Sequence, residues 1–173
     1  MSRQIEASAA WLVFILLPAL QSPVVAAERE ICTVGKRAAN LDFRLETVTG
    51  GEVRLNNYQG KVILLNFWAT WCAPCRKEIP WLIELYDEYR ERGLVVLGVS
   101  IDESVPLVKP FVEQLQVSYP VLIGKSREDV QEAFGPLLGL PTSVLVTRNG
   151  TICTRHAGIA SKAQLEREIE ALL

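Results

Sequence analysis

The chain has few histidines and cysteines, the usual ligands of structural zinc, and no basic cluster of the kind that binds nucleic acid. A single histidine, His156, occurs among 173 residues, and only one Cys-x-x-Cys pair is present. A structural zinc ion requires four ligands, so a zinc site is not expected. A lone histidine is more often structural than catalytic. The 18 lysines and arginines nearly balance the 20 acidic residues. Nucleic acid is therefore not an expected partner, and no cofactor is expected.

Internal repeats and low-complexity tracts are also absent from residues 28–173. A chain of this length is enough for one domain with a sizeable core, so no second domain is needed. We therefore expect a single domain over residues 28–173 and a monomeric protein.

The N-terminus has the pattern of a secretory signal peptide. Arg3 precedes an apolar run at residues 9–20, and the small residues Val25 and Ala27 follow at the spacing that signal peptidases recognise. We expect cleavage after Ala27. The alternative is an uncleaved membrane anchor over residues 7–27, which are just long enough to span a bilayer. Both alternatives place the domain in the periplasm or another extracytoplasmic compartment, where disulfides form.

Two apolar stretches predict strands that are buried on both faces of a sheet. Residues 61–69 and 93–101 are continuously apolar and rich in β-branched side chains, as buried parallel strands require. The sequence between them has apolar residues at helical spacing and ends at Gly93, a typical helix stop. Strand, helix and strand in this order predict a right-handed βαβ unit.

Turn residues divide the rest of the chain into short elements. Gly50-Gly51 predicts a leading β-hairpin, and Asn149-Gly150 predicts a second hairpin with positive φ at both residues. Further helices are expected at residues 107–116 (disturbed at Pro110), at 127–135 and after the cap residue Ser161, with a short strand at 120–124. Together these elements predict an α/β fold with a mixed sheet flanked by helices.

Cys72 and Cys75 lie where the first buried strand is followed by the helix. Unpaired N–H groups and the positive end of the helix dipole favour a thiolate at Cys72. Pro74 fits the first turn, where its missing N–H needs no partner. Cys75 lies one turn further along the helix and is expected to be less exposed. These positions predict Cys72 as the nucleophile and Cys75 as the thiol that resolves a mixed disulfide.

Glu78 follows Cys75 by three residues and shares its helical face. Resolution requires Cys75 to lose a proton. Apolar neighbours such as Ile79 and Trp81 are expected to raise the pKa of the Glu78 carboxyl group toward the working range. We therefore interpret Glu78 as the proton acceptor. The alternative is a solvated acid that the helix dipole favours in the first turn.

The stretch "NFWATWCAPCRKEIP" (residues 66–80) resembles the active site of the TlpA/ResA-like thiol–disulfide oxidoreductases of the thioredoxin superfamily. The resemblance extends over nearly all of residues 28–173. It implies a thioredoxin fold with an N-terminal β-hairpin extension and a helix–strand insertion between residues 106 and 124. A second stretch, "GLPTSVL", matches the family loop in which a cis-proline, here Pro141, faces the cysteine pair.

The resemblance also implies which residues contact substrate. Pro141, with Leu140 and Thr142 beside it, is expected to hold the substrate backbone, and Pro74 and Trp71 are expected to border the groove. Asn66 stands where thioredoxin itself has a buried Asp. TlpA/ResA-like proteins place the acid at the position of Glu78 instead, so the resemblance agrees with the proton-acceptor role.

Cys32 and Cys153 are the remaining cysteines. In an oxidising compartment, two otherwise unexplained cysteines are expected to pair. Some TlpA-like proteins are similar in fastening their N-terminal segment in this way. We therefore expect a structural Cys32–Cys153 disulfide, and the alternative is two free thiols.

The resemblance implies a disulfide reductase that acts on oxidised client proteins and is re-reduced by a membrane electron donor. Apocytochromes and copper-site proteins of cytochrome oxidase are the clients that it implies. Thr142-Ser143 weakens the apocytochrome assignment, because cytochrome maturation members usually carry an acid after this proline.

Two alternative functions stay open. Residues 41–67 also resemble peroxiredoxins, which are thiol peroxidases, but Ala69 replaces the threonine on which those enzymes depend. Binding of Cu(I), a soft ion, by the two thiolates of the pair is the other alternative.

Overall fold

The computed structural model describes residues 31–32, 37–102 and 104–173. The signal peptide predicted at residues 1–27 lies outside the described residues. No helix within the described ranges is long and apolar enough to cross a membrane.

The leading hairpin forms as predicted. Strand β1 (Arg44–Glu46) pairs antiparallel with β2 (Glu52–Arg54). Gly50 and Gly51 have φ angles of 82° and 115°, and glycine adopts such angles without the steric cost that a side chain would add. The two strands form a sheet of their own, so the predicted N-terminal hairpin extension is confirmed.

Among the described residues, five further strands form the central sheet. They are β3 (Val62–Trp68), β4 (Leu94–Ser100), β5 (Val121–Ile123), β6 (Thr142–Val146) and β7 (Ile152–Ala157). Their order is β5-β4-β3-β6-β7. Because β3 runs parallel to β4 and antiparallel to β6, the sheet is mixed, as predicted.

Helices connect and flank these strands. They are α1 (Ala73–Tyr89), α2 (Val105–Gln114), α3 (Glu128–Phe134) and α4 (Lys162–Leu172). Helix α1 joins the parallel strands β3 and β4, and the chain enters β4 through Gly93 at φ 106°. Helix α2 begins earlier than predicted because Pro106 suits a first turn, and it continues through Pro110. Helix α2 and β5 form the implied helix–strand insertion.

Two apolar clusters hold the other elements against the faces of the central sheet. Strand β3 contributes to both, because its alternate side chains point to opposite faces. Leu64 and Trp68 belong to the cluster with α1, α2 and α4, whereas Leu65 and Phe67 belong to the cluster with α3 and the leading hairpin. All of β3 is buried. Cys72 therefore follows a strand that is packed on both sides.

The second hairpin differs from the prediction at Asn149. Gly150 alone of the pair has a positive φ, 78°, so the expectation of positive φ at both residues is wrong. The loop is longer than two residues, since the Thr147 N–H donates to the Thr151 carbonyl at 2.9 Å. Asn149 stabilises this longer loop because its Oδ1 accepts the Thr151 N–H at 3.2 Å.

The N-terminal segment is attached to the β6–β7 hairpin by a covalent bond and by the backbone. Cys32 and Cys153 form a disulfide between positions 121 residues apart. The Ile152 N–H donates to the Arg37 carbonyl at 2.8 Å. Because Cys153 is fully buried on β7, the bridge fastens this segment to the core of the domain.

We expect that breaking this disulfide destabilises the protein. A Cys32→Ala variant should lose about 4 kcal/mol of unfolding free energy, because the bridge restricts a long loop in the unfolded chain. Guanidinium denaturation measures the loss. The matched control is Cys32→Ala with Cys153→Ala, which should lose little more, since either change removes the same bridge. An unchanged denaturation midpoint in Cys32→Ala would contradict the expectation.

Candidate active site

Cys72 caps the N-terminus of α1. Its backbone is extended, with φ −81° and ψ 102°. Its Sγ accepts a hydrogen bond from the Cys75 N–H at 3.2 Å. This N–H and the positive end of the helix dipole both stabilise negative charge on the sulfur. Cys72 therefore has the environment that favours a thiolate once the pair is reduced.

Cys72 and Cys75 are joined as a disulfide in this structure. Cys72 exposes 5% of its surface and Cys75 none, so the expected difference in exposure is small. The two sulfurs differ more in what surrounds them. Both belong to the same apolar cluster, but Cys72 also lines an open groove, whereas Cys75 is not among the residues that line it. Of the two, Cys72 is therefore the cysteine that a molecule bound in the groove can reach.

Glu78 lies one helical turn from Cys75 and is fully buried. Its Oε2 accepts a hydrogen bond from Asn66 Nδ2 at 2.8 Å, and its Oε1 accepts the Ala160 N–H at 3.2 Å. The alternative reading of Glu78 as a solvated acid is therefore wrong. One of these two donors lies on the central sheet, and the other lies in the segment before α4.

Asn66 belongs to a row of polar side chains that crosses the sheet. It lies opposite Ser143 on β6, which lies opposite His156 on β7. Register partners on neighbouring strands share a face. Asn66 Nδ2 donates to Ser143 Oγ at 2.9 Å, and His156 Nε2 lies 2.8 Å from Glu168 Oε2 on α4. The row thus places His156 on the face of the sheet that carries Glu78, and its pairing with Glu168 is a structural contact.

Burial raises the pKa of the Glu78 carboxyl group above its ordinary value. The Ala160 N–H, the Asn66 amide and the charge of His156 oppose this rise without cancelling it. Burial and the nearby charge of Glu78 raise the pKa of the Tyr119 phenol as well. Glu78 therefore accepts a proton more readily than a solvated glutamate does. This property is the one that a proton acceptor for a buried thiol requires.

An open groove of 620 Å³ lies beside Cys72. It is lined by residues 71–74 and 137–140 together with Ile101 and Gln131, and none of these side chains carries a charge. The groove can therefore receive an uncharged, largely apolar segment of another chain.

Three of the predicted substrate contacts are brought together in this groove. Trp71, Pro74 and Leu140 line it, and Trp71 exposes 71% of its surface. Pro141 follows Leu140 through a cis peptide bond but is buried. Its carbonyl accepts the Gly158 N–H at 2.8 Å. Leu140 lines the groove and Pro141 does not, so the expected contact of Pro141 with the substrate backbone stays a prediction.

Thr142 does not reach the groove. Its side chain is fully buried, and its hydroxyl donates to the Gly139 carbonyl at 2.7 Å. Thr142 is therefore not among the residues that line the groove, and its expected contact with the substrate backbone stays a prediction. The hydroxyl stabilises the loop that carries Leu140.

Sequence reasoning missed several residues of the site. Ser143 was not identified because its place beside Asn66 depends on the register between β3 and β6. Ala160 was missed because it contributes only a backbone N–H. Leu137 and Leu138 belong to the groove, although no motif marks them. The apolar run before "GLPTSVL" was the one available signal for the last two.

The fold and the site together define a class of protein. A Cys-x-x-Cys disulfide at the start of a helix, directly after the central strand of a mixed five-stranded sheet, is the arrangement of thioredoxin-like redox proteins. Comparison with known families agrees, since residues 34–155 match the AhpC/TSA family.

Individual relatives narrow this class. The thiol-disulfide oxidoreductase ResA of Bacillus thuringiensis subsp. konkukian (strain 97-27) is 36% identical over 145 residues, which cover 84% of this chain and 82% of the relative. ResA of Geobacillus thermodenitrificans (strain NG80-2) is 34% identical over 164 residues, which cover 93% and 92%. A crystal structure of a thioredoxin-family thiol:disulfide interchange protein from Chlorobium tepidum TLS superposes with a TM-score of 0.72 at 29% identity, covering 79% of this chain and 97% of that one.

The chain therefore belongs to the AhpC/TSA family and, with its ResA relatives, to the thiol-disulfide oxidoreductases. The resemblance to the TlpA/ResA-like branch and the predicted thioredoxin fold are confirmed.

We expect Glu78→Gln to stabilise the oxidised protein at neutral pH and not in acid. Because burial raises the pKa of Glu78 in the folded state, wild-type stability falls as the pH rises through that pKa. Below about pH 3 the carboxyl group is protonated in both the folded and unfolded states, so the difference should vanish there. A glutamine cannot ionise. Asn66 Oδ1 has no hydrogen-bond partner among the described residues, and rotation of the Asn66 amide would allow this oxygen to accept an N–H of the glutamine side chain.

Guanidinium denaturation of both proteins across this pH range measures the effect. Glu88→Gln, which changes an exposed acid on the same helix, is the matched control and should show no such pH-dependent gain. A stability difference between Glu78→Gln and wild type that does not change with pH would contradict the role of burial.

Proposed function

We propose that this protein reduces disulfide bonds of client proteins outside the cytoplasm through a Cys72/Cys75 dithiol. The observation that carries the proposal is the position of Glu78. It is fully buried one turn from Cys75, while Cys72 lines the open groove. This arrangement gives the two cysteines different tasks, because only one faces a partner and only the other has a buried base close by.

In the first step the Cys72 thiolate of the reduced protein attacks a sulfur of the client disulfide. A new bond forms between Cys72 and the client, and the client's other sulfur leaves as a thiolate. The Cys75 N–H, 3.2 Å from the Cys72 sulfur in the oxidised protein, and the terminus of α1 stabilise the attacking thiolate. The uncharged groove accommodates the client segment that flanks its cysteine.

In the second step Cys75 attacks the Cys72 sulfur of the mixed disulfide. Glu78 accepts the proton that Cys75 releases, and the raised pKa of Glu78 suits it to this task. The bond between Cys72 and the client breaks, and the client's second thiolate leaves. The client has gained two electrons, and the protein is left with the Cys72–Cys75 disulfide found in this structure.

An extracytoplasmic location is supported by two features of the chain. The N-terminal sequence has the pattern of a signal peptide. The Cys32–Cys153 disulfide, which does not include the redox pair, is of the structural kind that persists in oxidising compartments. A mature protein that begins at Glu28, read by N-terminal sequencing of the exported form, would support cleavage. An intact N-terminus would support the membrane anchor instead.

We further propose that a membrane electron donor re-reduces the pair, since an extracytoplasmic compartment offers no soluble reductant pool. Among clients we place apocytochromes first and the copper-site proteins of cytochrome oxidase second. The uncharged lining of the groove fits an unfolded apocytochrome segment. The absence of an acid after Pro141, noted above, keeps the second client class open.

Two other functions are distinguished by simple assays. A thiol peroxidase would consume hydrogen peroxide at the expense of the dithiol, and Ala69 before the pair argues against this activity. For Cu(I) binding the site offers two thiolates. Within the described ranges, no three histidine, cysteine or acidic side chains lie close enough to hold a metal ion. Metal analysis of the reduced protein tests this alternative.

The direction of electron flow is tested by the reduction potential of the Cys72–Cys75 couple. A value near or below about −200 mV is expected for a reductase, whereas a value near about −120 mV would mean a strong oxidant and contradict the proposal. Equilibration with defined thiol/disulfide buffers, followed by tryptophan fluorescence, measures the potential. Cys32→Ala with Cys153→Ala provides the background in which one couple titrates.

The roles of the two cysteines and the client class are tested by trapping. Cys75→Ser should accumulate a mixed disulfide with an oxidised Cys-x-x-Cys-His peptide, because the resolving thiol is missing, and Cys72→Ser should form none. Mass spectrometry detects the adduct. A matched peptide with alanine in place of histidine is the control for the haem-attachment sequence. Equal trapping rates for both peptides would remove the apocytochrome preference, and trapping by Cys72→Ser would overturn the assignment of the nucleophile.

A further inference from the structure

Asp102 is a buried carboxylate that lies outside the Cys-x-x-Cys motif. It follows β4 by two residues and exposes 2% of its surface. The Thr70 N–H donates to its Oδ1 and Oδ2, at 3.1 and 2.9 Å, and the Thr70 hydroxyl donates to Oδ1 at 2.6 Å. The Ser100 hydroxyl donates to Oδ2 at 2.8 Å. In the described part of the chain no ion pair includes Asp102. Neutral donors alone therefore satisfy its charge.

Thr70 occupies the turn that leads into Cys72. The Cys72 N–H donates to the Ala69 carbonyl at 3.1 Å, which closes a four-residue turn with Thr70 and Trp71 at its centre. Trp71 projects from this turn into solvent at the edge of the groove. A restraint on Thr70 therefore acts on both the nucleophile and its exposed neighbour.

The restraint on Thr70 comes from the centre of the sheet, where β3 and β4 pair. Trp68 and Ser100 are the last register partners of the parallel strands β3 and β4. The Ile101 N–H donates to the Trp68 carbonyl at 3.0 Å. Asp102 lies after β4 and is hydrogen-bonded to the loop after β3. It therefore extends the pairing of these two strands beyond their ends. Charge-assisted hydrogen bonds of this kind are shorter and stronger than neutral ones.

We propose that Asp102 is a positioning residue for Cys72. By holding Thr70, it keeps Cys72 at the N-cap of α1, where the Cys75 N–H stabilises the thiolate. The inference rests on the proposed role of Cys72 as the nucleophile. Asp102 acts through geometry, because a negative charge close to Cys72 would by itself disfavour the thiolate. Loss of the restraint should therefore lower the thiolate fraction of Cys72, whereas loss of the Asp102 charge alone should raise it.

The test compares two substitutions that separate geometry from charge. Asp102→Asn removes the charge and one oxygen acceptor, whereas Thr70→Val removes one hydrogen bond and leaves the charge in place. The reduced proteins are treated with limiting iodoacetamide over a range of pH, and peptide mass spectrometry identifies the modified cysteine. We expect Cys72 to react about threefold or more slowly in both variants at neutral pH, because less of it is thiolate. The midpoint of the pH profile should move upward in both.

Asp87→Asn is the matched control, because it removes an exposed carboxylate near the far end of α1. Cys72 of this variant should react with iodoacetamide at the wild-type rate. Thermal unfolding shows whether each variant is folded, and if Asp102→Asn is not, Thr70→Val decides alone. A wild-type rate in Thr70→Val, or a faster rate in Asp102→Asn, would overturn the inference. Modification of Cys75 before Cys72 in the wild-type protein would instead overturn the proposed function.

Discussion

The site depends on the junction at which β3 ends and α1 begins. Strand β3 is buried along its whole length and packed on both faces. The close packing of the core therefore fixes the position at which this strand ends. The turn at Ala69 carries the chain from this strand into the helix. Cys72 is therefore presented at a helix N-terminus that cannot shift without disturbing the sheet. Its thiolate stabilisation, its access to the groove and its bond to Cys75 all follow from this placement.

Glu78 and Asp102 are both buried carboxylates, and their surroundings differ. Glu78 receives one amide and one backbone N–H, and its burial outweighs these donors, so the pKa of Glu78 is raised. Asp102 receives two hydroxyls and a backbone N–H that reaches both of its oxygens. The first environment suits a group that must gain and lose a proton. The second suits a group that holds a loop in place.

Much of the fold was predictable, because its longest elements have strong local signals. The apolar runs of β3 and β4 and the helical spacing of α1 identified the βαβ unit, and Gly50-Gly51 identified the leading hairpin. The failures lie where tertiary or side-chain contacts override a local pattern. The turn at Asn149 is longer than the dipeptide indicates because the asparagine side chain accepts a backbone N–H.

The sequence by itself determined the class of chemistry, because two cysteines at the start of a helix, with an acid one turn later, are local relations along a single segment. It also determined which strands and helices form. Only the tertiary structure decided how deeply Glu78 is buried, that Asn66, Ser143 and His156 form one row, and that Asp102 reaches Thr70. The hydrogen bonds from Asn66 to Glu78 and to Ser143, for example, join residues 12 and 77 positions apart. Strand register and packing set them, and neither is encoded in any short stretch of the chain.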